Sequence, residues 1–161
     1  MVKNNPGPEA PEPALEAVCE LIKSAKEECS ILRSSVGGCN DERLNQLLIE
    51  ISNERGCFAF ELEGYVERHG RQPAATIPVR SPFRAAMRQI QALMRIGDTK
   101  AVLEECEQHE GQMLKEYGKV LRQPASEHIS SMLRRQYDRI RISKRRLRHW
   151  LDHINESPLA N

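Results

Sequence analysis

The residues that could do chemistry in this chain are glutamates placed where helices want apolar side chains. Stepping by three and four through one stretch gives Leu103, Cys106, Glu110, Met113, Tyr117 and Val120, an apolar seam interrupted by a single carboxylate. A second stretch repeats the interruption: Leu44, Leu47, Ile51, Glu54, Phe58 and Tyr65 form a seam in which Glu54 sits between large apolar neighbours, with Glu61 one heptad on. A carboxylate inside a helical core must be protonated, paired with a cation or bound to a metal ion, because burying an uncompensated charge is prohibitive. Inward-facing glutamates on facing helices are also the construction used by di-metal bundles.

Other chemistry has little footing. His149 and His153 are one helical turn apart and could grip a metal at the surface, but at a helix C-terminus imidazoles commonly serve the helix dipole. His109 is next to Glu110, and its heptad position points away from the seam centre. The five cysteines are an odd number without Cys-x-x-Cys spacing, which argues against a disulfide framework and a zinc knuckle. Cys29 and Cys106 fall on the seams and read as reduced core thiols. The chain has no Gly-x-Ser-x-Gly, P-loop or dinucleotide fingerprint, so nucleotide-dependent and serine-hydrolase chemistry has no foothold.

The elements that must hold these side chains are helices. The first pattern, Leu15, Val18, Ile22, Ala25, Cys29, Leu32 and Val36, is stopped by Gly37-Gly38. Asn40 or Asp41 caps a second helix that runs to about Arg68 and ends at His69-Gly70. Residues 71–82 contain three prolines and no period, and form a long connection. A shorter helix is predicted over 83–96, and Gly97-Asp98 restarts the chain as the Glu110 helix, which stops at Pro124. The last helix, capped near Ser126, has the seam Ile129, Leu133, Gln136, Ile140, Ser143, Leu147, Trp150 and Ile154. Short links within each pair make two antiparallel hairpins, and the long connection lets them dock as an antiparallel four-helix bundle with a short extra helix across the join. Counting back from the turns puts Glu54 near the level of Ala25 and Cys29, and Glu110 opposite Gln136. Both polar interruptions then lie near mid-helix, where a ligand site would sit.

Composition agrees with one all-α domain over 14–155, preceded by a disordered lead (1–13) and followed by a tail (156–161). The chain has 161 residues, 39% hydrophobic but only 4% aromatic, which suits Leu/Ile/Met/Ala helices. The Pro- and Glu-containing N-terminus lacks the apolar stretch of a signal peptide, and no segment reads as membrane-spanning, so a bacterial-type cytoplasmic protein is expected. The net charge of +1 hides an asymmetry: residues 1–70 hold 7 Lys/Arg against 13 Asp/Glu, and residues 71–161 hold 17 against 10. Arg134, Arg135, Arg139, Arg141, Lys144, Arg145, Arg146 and Arg148 concentrate the excess in the last helix. They spread around its circumference beside an acidic half, so pairing within the bundle is expected in preference to nucleic-acid binding.

The run Ala101-Val102-Leu103-Glu104-Glu105-Cys106-Glu107-Gln108-His109-Glu110, followed by Leu114-Lys115-Glu116-Tyr117, resembles a bacterial family of ferritin-like four-helix-bundle proteins of unknown function. Glu54-Arg55, Phe58-Ala59, Glu61-Leu62, Gly97-Asp98 and Arg135-Gln136-Tyr137 are similar to that family too, and the likeness covers about residues 14–154. Two places depart from it. Where relatives carry Asp-Gly-Glu after a lysine, this chain has Glu27-Glu28-Cys29; where they carry Asn-His-Asp, it has Ser143-Lys144-Arg145. If those positions ligate metal in relatives, the resemblance leaves Glu54, Glu107 and Glu110 as candidate ligands, with a thiol and an ammonium where a carboxylate and an imidazole would be. Hard divalent ions favour oxygen and imidazole donors, so no cofactor is expected, with iron or manganese as the alternative. Lys144 is a candidate to neutralise Glu110 or Glu107; otherwise it snorkels to solvent and Gln136, a tyrosine hydroxyl or water satisfies the glutamates.

Three functions follow as expectations. The first is a non-catalytic structural or stress-associated bundle with a degenerate metal site, acting through a protein partner or as a homo-oligomer. The second is a di-metal carboxylate protein with an oxidase or metal-handling role. The third is a nucleic-acid-associated bundle using the basic last helix.

Overall fold

A computed structural model of the chain describes residues 13, 15–72 and 81–156. It is all-α: α1 (Leu15–Ser35), α2 (Glu42–Arg68), α3 (Ser81–Arg95), α4 (Thr99–Leu121) and α5 (Glu127–Glu156), with no strand among the described residues. The lead (apart from Pro13), most of the connection (73–80) and the tail beyond residue 156 lie outside the described residues. None of the helices is long and apolar enough to cross a membrane, among the described residues.

The helix ends are where turn chemistry puts them. Asp41 caps α2, its carboxylate accepting from the backbone N–H of Arg43 (2.8 Å) and Leu44 (3.3 Å), and Asp98 caps α4 by accepting from Ala101 (3.0 Å). At the C-termini of α2 and α3, Gly70 (φ 77°) and Gly97 (φ 70°) take the left-handed conformation that side chains resist. Arg71 N–H then donates to Val66 C=O and Asp98 N–H to Leu93 C=O, closing the Schellman pattern that satisfies orphan helix carbonyls. α3 begins at Ser81, two residues before the predicted start. Gly38 is needed for space: a Cβ there would lie 2.6 Å from Met94 Cγ, so α3 packs directly on the α1–α2 turn.

Paired side chains fix the helix directions. Arg33–Asn53 and Lys26–Glu63 run α1 against α2; Tyr117–Gln136 and Glu107–Lys144 run α4 against α5. Ser24–Glu116 and Ser35–Cys106 run α1 against α4. Helix contacts pass from α1 to α2, α2 to α5, α5 to α4 and α4 back to α1, while α3 touches α1 and α4. α2 and α4 therefore sit diagonally and point the same way. A short turn cannot join two such helices, which explains the long connection between them.

Beside a small cluster that joins Ile31 of α1 to Ala86 and Ile90 of α3, the apolar interior of the four-helix ring is in two parts among the described residues. One joins Val18, Leu21, Phe58, Leu62, Met113, Tyr117, Leu133 and Ile140; the other joins Leu32, Leu44, Leu48, Ile51, Val102, Cys106, Leu147 and Leu151. Each of the four ring helices crosses from one cluster to the other, and in that interval each buries a polar residue: Glu28, Arg55, Glu110 and Ser143. The middle of the molecule is thus a polar layer between two apolar slabs.

Candidate functional site: the buried polar layer

Arg55 is the centre of the layer, and its side chain is fully buried. From α2 it reaches across the diagonal to α4, where Nε donates to Glu110 Oε1 (3.1 Å) and Nη2 to Glu110 Oε2 (2.6 Å). This two-pronged geometry is the strongest form of a carboxylate–guanidinium contact. The third nitrogen, Nη1, donates to Glu54 Oε1 at 2.9 Å, and the guanidinium carbon stands 5.1 Å from the Phe58 ring centroid. Glu54 Oε2 accepts from Arg139 Nε at 2.7 Å. A continuous chain of charges, Glu110–Arg55–Glu54–Arg139, therefore leads from the fully buried centre to the exposed face of α5.

A second chain runs beside it. Tyr117 donates its hydroxyl to Gln136 Oε1 (2.8 Å), Gln136 Nε2 donates to Glu61 Oε2 (3.0 Å), and Arg135 pairs with the same Glu61 oxygen. Both chains tie α2, α4 and α5 together.

Glu28 is the odd member. It is 2% exposed, and among the described residues its Oε1 meets no hydrogen-bond donor. Burial and the neighbouring Glu110 charge push its carboxyl well above the ordinary carboxylate value, against the pull of Arg55. Burial also raises Glu110, with Arg55 opposing the rise. Burial pulls the Arg55 guanidinium down, but the charges and hydrogen bonds of Glu110, Glu28 and Glu54 together outweigh that pull and hold it above its ordinary value, so it stays cationic. Burial lifts the thiol of Cys106 and the phenol of Tyr117 far above their usual values, so neither ionises near neutrality. His109, half-buried at the edge of the layer, is lowered by burial despite Glu105 and Glu27.

Several expectations need correction. In α2 the buried register is Ile51, Arg55, Phe58, Leu62 and Tyr65, so Glu54 and Glu61 are only partly buried at its flank. The 3–4 spacing fits both registers, and the contrast between apolar Leu62 and charged Glu61 was the signal that separates them. In α1 the buried residue is Glu28, and Cys29 is half-buried, its thiol 3.5 Å from the Ser52 hydroxyl. Gln136 faces Tyr117, not Glu110, because α5 begins only at Glu127 and the pivot of the hairpin lies later than Gln123. Lys144 Nζ lies 3.6 Å from Glu107 Oε1 at a half-exposed position, and the buried cation on Glu110 is Arg55.

The candidate ligands Glu54, Glu107 and Glu110 are brought together only in part. Arg55 joins Glu54 to Glu110, while Glu107 turns outward to Lys144 and Arg148. Among the described residues, no group of three or more His, Cys, Asp and Glu is placed to hold a metal ion. The five cysteines are free thiols, and His149 and His153 are exposed, their rings 4.2 Å apart. Most arginines of α5 have acidic partners: Arg135 with Glu61, Arg139 with Glu54, Arg146 with Glu50, and Arg148 with Glu107 and Asp152.

The sequence model of the family described as Domain of unknown function (DUF2383) matches residues 14–123, more than half of the chain, and the protein belongs to that family. No curated protein matches it.

Proposed function

We propose that this member of the family is a non-catalytic, ferritin-like four-helix bundle in which an internal ion-pair network stands where related bundles would place metal ligands. On this reading the protein has a structural or stress-associated role in the bacterial cytoplasm, exercised through a partner protein or a second copy of itself. One observation carries it: the Arg55 guanidinium engages both oxygens of Glu110 and one of Glu54. A divalent ion bound to these carboxylates would have to displace a buried arginine or accept its repulsion, and Arg55 has no route to lose its proton. The partnered arginines of α5 support the same reading over a nucleic-acid role, since a phosphate backbone would compete with contacts already made. Among the described residues, Phe60 on α2 (78% exposed) and Ile96 (75%) are the large apolar residues most available to a partner.

The test is metal analysis of protein purified without chelator and supplied anaerobically with ferrous or manganous salt. The expected result is well under one ion per chain. Two tightly held ions lost on Glu54→Gln or Glu110→Gln would overturn the proposal in favour of a di-metal carboxylate protein.

A further inference from the structure

α3 carries three arginines and no aspartate or glutamate. Arg84, Arg88 and Arg95 stand four and seven residues apart. On a helix that spacing keeps them within about 40° of one another, in a row about 16 Å long. All three are exposed, and among the described residues none of them has an ion pair or a hydrogen bond. Gln91 fills the intervening place in the row, and Ala85, Ala92 and Ile96 lie exposed along its flank. The row faces outward because the opposite side of the helix, Ala86 and Ile90, packs on Ile31 of α1.

The molecule contains a second row of the same design, with its partner helix beside it. Arg135, Arg139 and Arg146 of α5 are also four and seven residues apart, and they meet Glu61, Glu54 and Glu50, which are themselves spaced by four and seven along α2. α3 repeats the arginine half of that contact on a face directed to solvent.

We infer that the outer face of α3 is a docking surface for an acidic helix of a partner protein, one whose glutamates or aspartates recur four and seven residues apart. Charge complementarity selects the acidic row, and the shared spacing selects a helix over an extended chain. The small side chains of Ala85 and Ala92 let the backbone of that helix come close. A nucleic-acid backbone would also meet the arginines, but Glu104 and Glu105 of α4 line the groove beside Ala85 and Gln89 and repel a continuous polyanion. A helix can keep its acids on the arginine side and neutral residues toward that groove. An anionic membrane fits less well, because Phe83, Met87 and Met94, the side chains that would insert, pack inward. This docking rests on the proposed structural role in one respect, that the role is exercised through a partner protein, and it gives that partner a chemistry.

The probe is an alanine-based helical peptide with three glutamates spaced by four and seven residues. One control has the same composition with the glutamates five residues apart, which scatters them around the helix; the other replaces the glutamates of the probe by glutamines. Each is titrated at low salt into the isotope-labelled full chain, following the amide and arginine side-chain NMR signals, which report binding as weak as millimolar. The probe should shift the signals of α3 saturably, and both controls should bind about tenfold more weakly or not at all. Arg88→Gln/Arg95→Gln should weaken the probe by about fivefold at an unchanged melting temperature, since neither arginine has a partner to lose. Arg134→Gln/Arg145→Gln, an equal loss of charge on α5, should leave binding as in the parent. The proposal is overturned by equal binding of the probe and the scattered peptide, by Arg88→Gln/Arg95→Gln binding like the parent, by the absence of a saturable shift in α3, or by a DNA duplex or phosphatidylglycerol vesicles engaging the same arginines more tightly than the probe. Bound metal would overturn the reading of the Arg55 network and leave these titrations unaffected, so the two failures are distinguishable.

Discussion

Two sets of ion pairs in this molecule use the same side chains and differ in almost everything else. In the layer, Arg55 and Glu110 are fully buried and joined by two hydrogen bonds. On the α2–α5 face, Glu61–Arg135 and Glu50–Arg146 hold partners that are one-third to three-fifths exposed. Water and salt screen the outer pairs, so each contributes little beyond helix register. In the layer Glu110 has Arg55 as its cation, and Arg55 has Glu110 and the adjoining Glu54, so removing one member of the buried pair leaves the other poorly compensated. The difference teaches that burial sets the stakes of an ion pair: breaking the Arg55–Glu110 pair costs far more than breaking an outer one, although two well-packed apolar residues in its place would be about as stable.

The sharpest way to break this contrast is to strand one member of the buried pair. Arg55→Met or Glu110→Met alone should destabilise by about 3–5 kcal/mol, and the double change Arg55→Met/Glu110→Met should restore much of the loss. Chemical denaturation of the three variants measures the coupling; strictly additive losses would show that the two side chains do not act as a pair.

A smaller effect of opposite sign is expected at Glu28, whose buried oxygen has no donor among the described residues. Glu28→Met should stabilise by about 1–3 kcal/mol at neutral pH, since it removes an unmet polar group. Its folded carboxyl is raised above its unfolded value, so the folded state keeps the proton that the unfolded chain releases. The stabilising contribution of that proton is complete below about pH 4.5 and is lost as pH rises through the folded value. The advantage of the Glu28→Met variant should therefore be greatest at neutral to alkaline pH and shrink as the pH approaches 4.5. Melting curves of parent and variant across that range check it, and a gain independent of pH would disconnect it from ionisation.

The outer pairs set the low end of the scale. Arg135→Ala and Arg146→Ala should each cost about 0.2–1 kcal/mol at low ionic strength and less in high salt. Lys144→Met belongs with them, because Lys144 meets Glu107 at a half-exposed position and not Glu110. A loss for Lys144→Met as large as that for Arg55→Met would move the buried cation from α2 to α5.

The architecture was legible because it depends on local chemistry. Heptad spacing marked the helices, Asp41, Asp98, Gly70 and Gly97 marked their ends, and the polar interruption at Glu110 marked the special layer. The partner of Glu110 was not legible. Arg55 stands next to Glu54 in sequence, and both fit a 3–4 pattern, so periodicity alone could not say which faced inward. Glu28 was hidden in the same way behind Cys29, and α1 buries the carboxylate while leaving the thiol at the margin.

By itself, then, the sequence determined five helices, the caps of α2 and α4 and the presence of a carboxylate in the core, because backbone hydrogen bonding and amphipathic period act over a few residues. Only the tertiary structure decided the rotation of each helix about its own axis, and with it the identity of the layer. A turn of one residue rotates a helix face by about 100°, and which of two adjacent side chains enters the interior is settled by the three helices opposite it. Here those helices brought Glu110 of α4 onto Arg55, 55 positions away in the chain, as a buried ion pair, and set Glu28 of α1, 27 positions away, close enough to feel the Arg55 charge.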